Sequence, residues 1–271
     1  MEISVPKGAC DTHMHFYDTK VQGAPGTFLP GDFRVKEYRE LQKHLGLERV
    51  IVVQPNAYAD DNTVTVNAIR ELGKSAKGVA VVKPDVKEAE LDRLTKAGIC
   101  AVRIMTLHGG MLGFDVMDAV MARVHPHGWH ANIQLDGREL PKYEAQIKRL
   151  QGKFVIDHTG KFLEPVAADH ATFRSLLNLV DTGRCWVKLS APYETSKTGA
   201  PKYEDVGRLA KTLVKHAPER MMWASNWPHP SARKPAPPKD DDLLNLLADW
   251  APDAKVQKKI LADNPADLYG F

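Results

Sequence analysis

The stretch Cys10-Asp11-Thr12-His13-Met14-His15 is the first of eight short runs, rich in Val, Ile, Met or Phe, that end in a polar or ionisable residue. Side chains on an extended strand alternate faces, so Asp11, His13 and His15 are expected on one side, with Thr12 and Met14 on the other. Two imidazoles would then share one space, with a carboxylate one layer below. Seven further runs, at residues 49–54, 78–83, 100–106, 130–136, 153–158, 185–190 and 220–226, are separated by helical patterns. Those patterns are clearest at 35–45, 61–75, 86–97, 114–127 and 169–181, several of them stopped by glycine at Gly46, Gly98, Gly128 and Gly183. Near-continuous apolar strands alternating with helices imply a parallel sheet covered by helices, and eight such units favour closure. The expected architecture is a single-domain (β/α)8 TIM barrel over residues 1–271. No phosphate-binding glycine fingerprint follows the first strand, which disfavours an open dinucleotide fold. Residues 22–32 form a Gly/Pro-rich loop long enough to cover a site, 228–238 read as an ordered loop over the rim, and 240–271 as one or two closing helices.

Composition narrows the function. With 271 residues the chain is close to the about 250 that such a barrel takes. Apolar residues at 43% and charged residues at 26% are those of an ordinary soluble protein, and no run of about 18 apolar residues offers a membrane span. A net charge of +3 without a dense Lys/Arg block gives little support for nucleic-acid binding. Residues 1–9 hold no apolar stretch of secretory type. The three cysteines, Cys10, Cys100 and Cys185, are an odd number, so a reduced cytoplasmic setting is expected.

Barrels of this kind carry their chemistry at the C-terminal ends of the strands. Those positions hold His13 and His15, Gln54, Lys83, Arg103, Gln134 with Asp136, His158, Lys188 with Ser190, and Asn226. Any one of them could merely cap backbone groups. A His-X-His pair joined by a third histidine from another strand is a stronger sign of a site. Three imidazoles could hold a divalent metal such as zinc. Against that, the last strand ends in a carboxamide, a poor ligand that takes up no proton, and Arg103 would set a fixed positive charge beside the ion. The same groups describe an anion pocket without cofactor. Arg103 offers a fork for a carboxylate and Lys188 a second positive charge, while Gln54, Gln134, Ser190, Tyr193 and Asn226 read hydroxyls. A hydroxylated acid or its lactone suits the mixture. Asp136 stands open between a second-choice base and a loop cap, and His229 between a substrate contact and a turn role. Trp129, Trp186 and Trp223 are expected to pack between barrel and helices, Asp157 to face away from His158, and Cys100 and Cys185 to be small buried hydrophobes.

Four motifs carry a family resemblance: Asp11-Thr12-His13-Met14-His15, Arg103-Ile104-Met105, Ile156-Asp157-His158-Thr159-Gly160 and Trp223-Ala224-Ser225-Asn226-Trp227-Pro228-His229. Together with Val52-Val53-Gln54-Pro55-Asn56-Ala57 and Tyr193-Glu194-Thr195-Ser196, the chain resembles the amidohydrolase superfamily over nearly its whole length, in a metal-independent lactonase branch. The resemblance implies a (β/α)8 barrel acting on lactones of dicarboxylic acids, with no cofactor. Hydrolytic members of the branch carry aspartate where Asn226 stands, so asparagine implies isomerisation: an aldaric-acid 1,5-lactone rearranging to the 1,4-lactone as the substrate's own hydroxyl attacks the carbonyl. The alternative is a lactonase hydrolysing a sugar-dicarboxylate, pyrone-dicarboxylate or muconolactone-type ring. His13, His15, His158 and Asn226 are the expected catalytic set, with the identity of the base open. Gln54, Arg103, Gln134, Lys188, Ser190, Tyr193 and His229 are the expected substrate contacts. The expected partner is a small carboxylated lactone, and the composition is compatible with a homo-oligomer.

Overall fold

The computed structural model describes residues 3–232 and 236–271. Its strands are β1 (Cys10–Met14), β2 (Arg49–Val53), β3 (Ala76–Ala80), β4 (Ile99–Met105), β5 (His130–Gln134), β6 (Phe154–Ile156), β7 (Cys185–Leu189) and β8 (Met221–Trp223). They pair in parallel, in chain order, as one eight-stranded sheet. The helices are α1 (Val35–Leu45), α2 (Thr63–Leu72), α3 (Glu88–Lys96), α4 (Phe114–Val124), α5 (Leu140–Lys148), α6 (Ala171–Val180), α7 (Glu204–His216), α8 (Asp240–Trp250), α9 (Ala254–Lys258) and α10 (Asn264–Tyr269). The chain is a (β/α)8 barrel, as its alternation predicts.

The seam between β8 and β1 is closed largely by side chains. Thr12 Oγ1 donates to the Trp223 carbonyl at 2.8 Å, and Asp11 accepts from the Ser225 amide at 3.0 Å and the Ser225 hydroxyl at 2.5 Å. Above these bonds Asn226 N donates to His13 O, and His15 N to Trp227 O, each at 2.8 Å. The pairing of β1 with β2 slips between Asp11 and Met14, which ends strict alternation there. Asp11 therefore does not lie beneath the two histidines. It also accepts from Tyr38 of α1 at 2.9 Å, and serves closure rather than the cavity.

Two apolar layers follow from the alternation. Outward residues such as Met14, Val52, Ile104, Ile133, Ile156 and Leu189 join the helices in the main core. Inward residues Cys10, Ile51, Val53, Val79, Ala101, Val155, Trp186 and Met222 fill the barrel, together with Leu268 and Tyr269. The C-terminal segment thus closes the lower mouth, where Lys77 at the start of β3 donates to the Tyr269 and Gly270 carbonyls. Trp186 belongs to this inner layer, whereas Trp129 and Trp223 pack outside it as expected. Helix α2 lies directly on β3: a Cβ at Gly78 would fall 2.4 Å from Ile69 Cδ1 and 2.6 Å from Ile99 Cδ1.

Several boundaries differ from the sequence reading. β3 starts and stops earlier, so Lys83 lies past it and pairs at the surface with Asp60 at 2.9 Å. β6 and β8 hold three residues each, because the chain turns out of the sheet before His158 and Asn226. Two helical stretches occupy 240–271 as expected, α8 and a continuous run in which a π-helical turn at Lys259–Asp263 joins α9 to α10. Within the expected 228–238 loop, residues 233–235 lie outside the described residues.

Candidate active site

The floor of the upper barrel is a closed polar layer one step above the apolar filling. Asn132, Asp157 and Lys188 follow the inward positions of β5, β6 and β7, and Asp157 and Lys188 have no exposed surface. Lys188 Nζ lies 2.7 Å from Asn132 Oδ1, 3.1 Å from Asp157 Oδ1 and 3.2 Å from His13 Nδ1. Asp157 also accepts from Asn132 Nδ2 at 2.7 Å. The expectation that Asp157 faces away from His158 is corrected here. By alternation from Val155 it points inward, and His158 joins it only because its φ of 52° is left-handed, as is that of Thr159 at 56°.

Hydrogen-bond logic assigns the protons of the histidine pair. His15 Nδ1 lies 2.8 Å from the Val53 carbonyl, which can only accept, so Nδ1 carries the proton and Nε2 is bare. His13 Nε2, 3.2 Å away, then donates to it, and His13 Nδ1 accepts from Lys188 Nζ at 3.2 Å while lying 3.3 Å from Asp157 Oδ1. Burial pushes His13 down to about 4, with Asp157 opposing and Lys188 assisting. Burial and the neighbouring His13 likewise hold His15 and His158 well below the ordinary imidazole value. All three are therefore neutral near pH 7. Burial alone would raise Asp157, yet Lys188 and His13 hold its carboxyl well below the usual range.

Above this floor opens a cavity of about 550 Å³ lined by His15, Tyr17, Asn56, Arg103, Gln134, His158, Lys161, Glu194 and Asn226, with Thr27 and Phe28 of the 22–32 loop over its mouth. Arg103 Nη1 donates to the Gln54 carbonyl at 2.9 Å and to Asn56 Oδ1 at 3.2 Å, and Nη2 to Gln134 Oε1 at 2.8 Å. These acceptors are all neutral, and Arg103 Nε is buried with no partner. His158 Nδ1 meets Ser190 Oγ at 2.8 Å, which turns the ring edge toward the cavity. Lys161 pairs with Glu194 at the rim, and burial followed by the Arg103 charge lowers Lys161 to about 7.

Of the expected catalytic residues, His15, His158 and Asn226 line the cavity while His13 stands behind His15. Of the expected substrate contacts, Arg103 and Gln134 line it. The other five stand behind the lining. Gln54 faces the helices, donating to the Ala59 and Asp61 carbonyls at 3.0 and 2.8 Å and accepting from Thr65. Lys188 is enclosed in the floor, Ser190 holds His158, and Tyr193 and His229 contact each other behind Asn226. Asp136 is a cap, accepting from Arg138 N at 3.0 Å and paired with the Arg138 guanidinium at 2.6 Å. Tyr17, Lys161 and Glu194 were not singled out as site residues from the sequence. Each lies on a loop within a few residues of a strand end, where face alternation no longer orders side chains.

Comparison with known proteins adds to this geometry. Residues 10–271 match the family model described as amidohydrolase. The chain is 36% identical over 271 residues to D-galactarolactone isomerase of Agrobacterium fabrum, covering 97% of this chain and 91% of that protein. It is 32% identical over 284 residues to 2-pyrone-4,6-dicarboxylate hydrolase of Comamonas testosteroni, covering 99% and 92%. A ligand-free crystal structure of an Agrobacterium tumefaciens protein, 35% identical, superposes with a TM-score of 0.90 over 99% of this chain and 97% of that one.

Proposed function

The chain belongs to the amidohydrolase family, and from that premise we propose that it rearranges a lactone of an aldaric acid, converting the 1,5-lactone to the 1,4-lactone by intramolecular acyl transfer. At the coarser level it is an enzyme of lactone isomerase or lactone hydrolase type. The observation that carries the reading is Arg103, a buried guanidinium whose hydrogen bonds go to neutral oxygens and whose charge is left for a ligand carboxylate.

The cavity supplies what an internal transfer needs. Arg103 fixes the carboxylate and with it the ring, so that a substrate hydroxyl sits against the lactone carbonyl and the entropic cost of capturing water is avoided. His158, neutral and with only Nδ1 engaged by Ser190, takes the hydroxyl proton and returns it to the departing ring oxygen, while both nitrogens of His15 are already committed. Asn226 orients the attacking or leaving oxygen but cannot itself deprotonate water. Lys161, paired with Glu194 at the rim, is placed to stabilise the developing oxyanion in its protonated form.

The reaction runs in this reading without a resident metal, and the donor set supports that. His13, Asp157 and His158 present atoms within 4.8 Å of one another, but the Lys188 ammonium already contacts two of the three. Arg103 adds a second fixed cation above them. Hydrolysis is the second reading, favoured by Glu194, a cavity carboxylate 3.4 Å from the Asn226 amide that could activate water. Turnover of aldaric lactones in ¹⁸O water, followed by NMR, tests the choice. An unlabelled 1,4-lactone is expected; label in an opened carboxylate would replace isomerisation by hydrolysis, and no turnover with any lactone would remove both.

A further inference from the structure

We infer that Tyr193, held by His229 and Asp240, is a positioning residue that fixes the Asn226 carboxamide with its carbonyl oxygen toward the cavity, so that the end of β8 accepts a hydrogen bond from a substrate hydroxyl. The inference deepens the reading above and rests on it for the identity of the substrate. Asn226 Nδ2 lies 2.9 Å from Tyr193 Oη and 3.4 Å from Glu194 Oε1. A carboxylate near neutral pH only accepts, so the nitrogen of the amide must face it. Tyr193 Oη is 2.9 Å from His229 Nδ1, and His229 Nε2 is 3.2 Å from Asp240 Oδ1. His229 Nε2 and Asp240 Oδ1 are in charge contact without a hydrogen bond, and the carboxylate favours the ring proton on Nε2, which leaves Nδ1 bare to accept the phenol hydrogen. With that hydrogen committed, the phenol oxygen accepts the amide N–H.

The reverse arrangement fails at two places. Turning the amide would set Asn226 Oδ1 against Glu194, and would make Tyr193 donate to it, pulling the His229 proton away from Asp240. Two carboxylates, Glu194 after β7 and Asp240 at the start of α8, thus specify one direction. The backbone agrees: Asn226 and His229 are both buried and both left-handed, with φ of 58° and 59°. Asparagine and histidine are both among the residues that enter that region most readily.

The chemical consequence is directional. A carbonyl oxygen can align a hydroxyl by accepting from it yet cannot remove its proton, so the nucleophile is aimed at this position and deprotonated by an imidazole. A lactone without that hydroxyl loses the contact.

The test has two arms. In ¹⁵N-labelled protein the Asn226 side-chain amide pair, identified by its loss in Asn226→Asp, should exchange with solvent about tenfold faster in Tyr193→Phe than in wild type. His229→Asn, which keeps an acceptor toward Tyr193, should exchange more slowly than His229→Ala and guards against a folding defect in the phenylalanine variant. With a hydroxylated aldaric 1,5-lactone, Tyr193→Phe should lower kcat about tenfold at a KM within about twofold of wild type. The 4-deoxy analogue lacks the nucleophilic hydroxyl and should not rearrange with either protein. Exchange of the Asn226 pair unaltered in Tyr193→Phe overturns the inference even where wild type turns over the lactone. Tyrosine-dependent protection without lactone turnover supports the positioning and overturns the substrate reading instead.

Discussion

The floor of the cavity and its wall each hold a buried cation, and the protein treats the two in opposite ways. Lys188 in the floor has Asp157 at 3.1 Å, with Asn132 and His13 completing its contacts. Arg103 in the wall hydrogen-bonds three neutral oxygens and keeps a buried N–H without partner. Desolvating a charge is costly unless an opposite charge offsets it. The floor meets that cost inside the protein. The wall leaves it to be met by a bound anion, and the contrast separates a supporting cation from a receptor.

The comparison breaks most visibly through Lys188→Met, which strands Asp157 in the interior and should lower unfolding stability by about 3–5 kcal/mol in urea titrations. Adding Asp157→Asn to the same chain should restore much of that loss; no recovery would mean the pair is not a unit. Arg103→Gln should do the converse, reducing kcat/KM about a hundredfold, or about 3 kcal/mol, while leaving the unfolding midpoint near wild type. A midpoint that falls as far as that of Lys188→Met would place Arg103 among the supports.

Acid titration sharpens the contrast next. His13 is held near 4 in the fold against an ordinary 6.5, so between those values the unfolded chain binds the extra proton and stability falls as pH drops. His15 and His158 act in the same direction. Asp11 opposes them: burial raises it from 3.8 to about 6, so within that window the folded state gains the proton. With His130, which burial lowers to about 3, four imidazoles outweigh one carboxyl, and calorimetry should show a net loss of stability between pH 6.5 and 4. A flat or rising profile would contradict neutral imidazoles. The smallest effect is expected for Gln54→Leu, which unties the β2 loop at a cost of about 1–2 kcal/mol in thermal melts, with kcat little altered because Gln54 faces the helices.

The barrel was legible because apolar runs and helical periods alternate along the whole chain, a pattern that survives errors of several residues at each boundary. The strand-end rule also placed Arg103, Gln134, His15, His158 and Asn226 on the rim, where the structure has them. It misled wherever the backbone stops being a strand. The slip in β1 sends Asp11 to the seam, and left-handed turns bring His158 in beside Asp157 rather than opposite it. Alternation counted from Val155 rather than from His158 would have found Asp157. Whether a strand-end residue lines the cavity or sits behind it, as Gln54, Lys188 and Tyr193 do, depends on contacts far apart in sequence that no local pattern encodes.

The seam carries one more consequence. Asp11 and Ser225, which join the first strand to the last, are 214 residues apart along the chain. A nascent polypeptide leaving the ribosome therefore adds 214 residues after the first side of the seam before the ring can shut, since loop closure over such a distance precedes any reward from the contacts it makes. His13 and His15 take their backbone bonds from Asn226 and Trp227 across the same joint. Vectorial synthesis thus makes the histidine pair some 214 residues ahead of the segment that completes its setting.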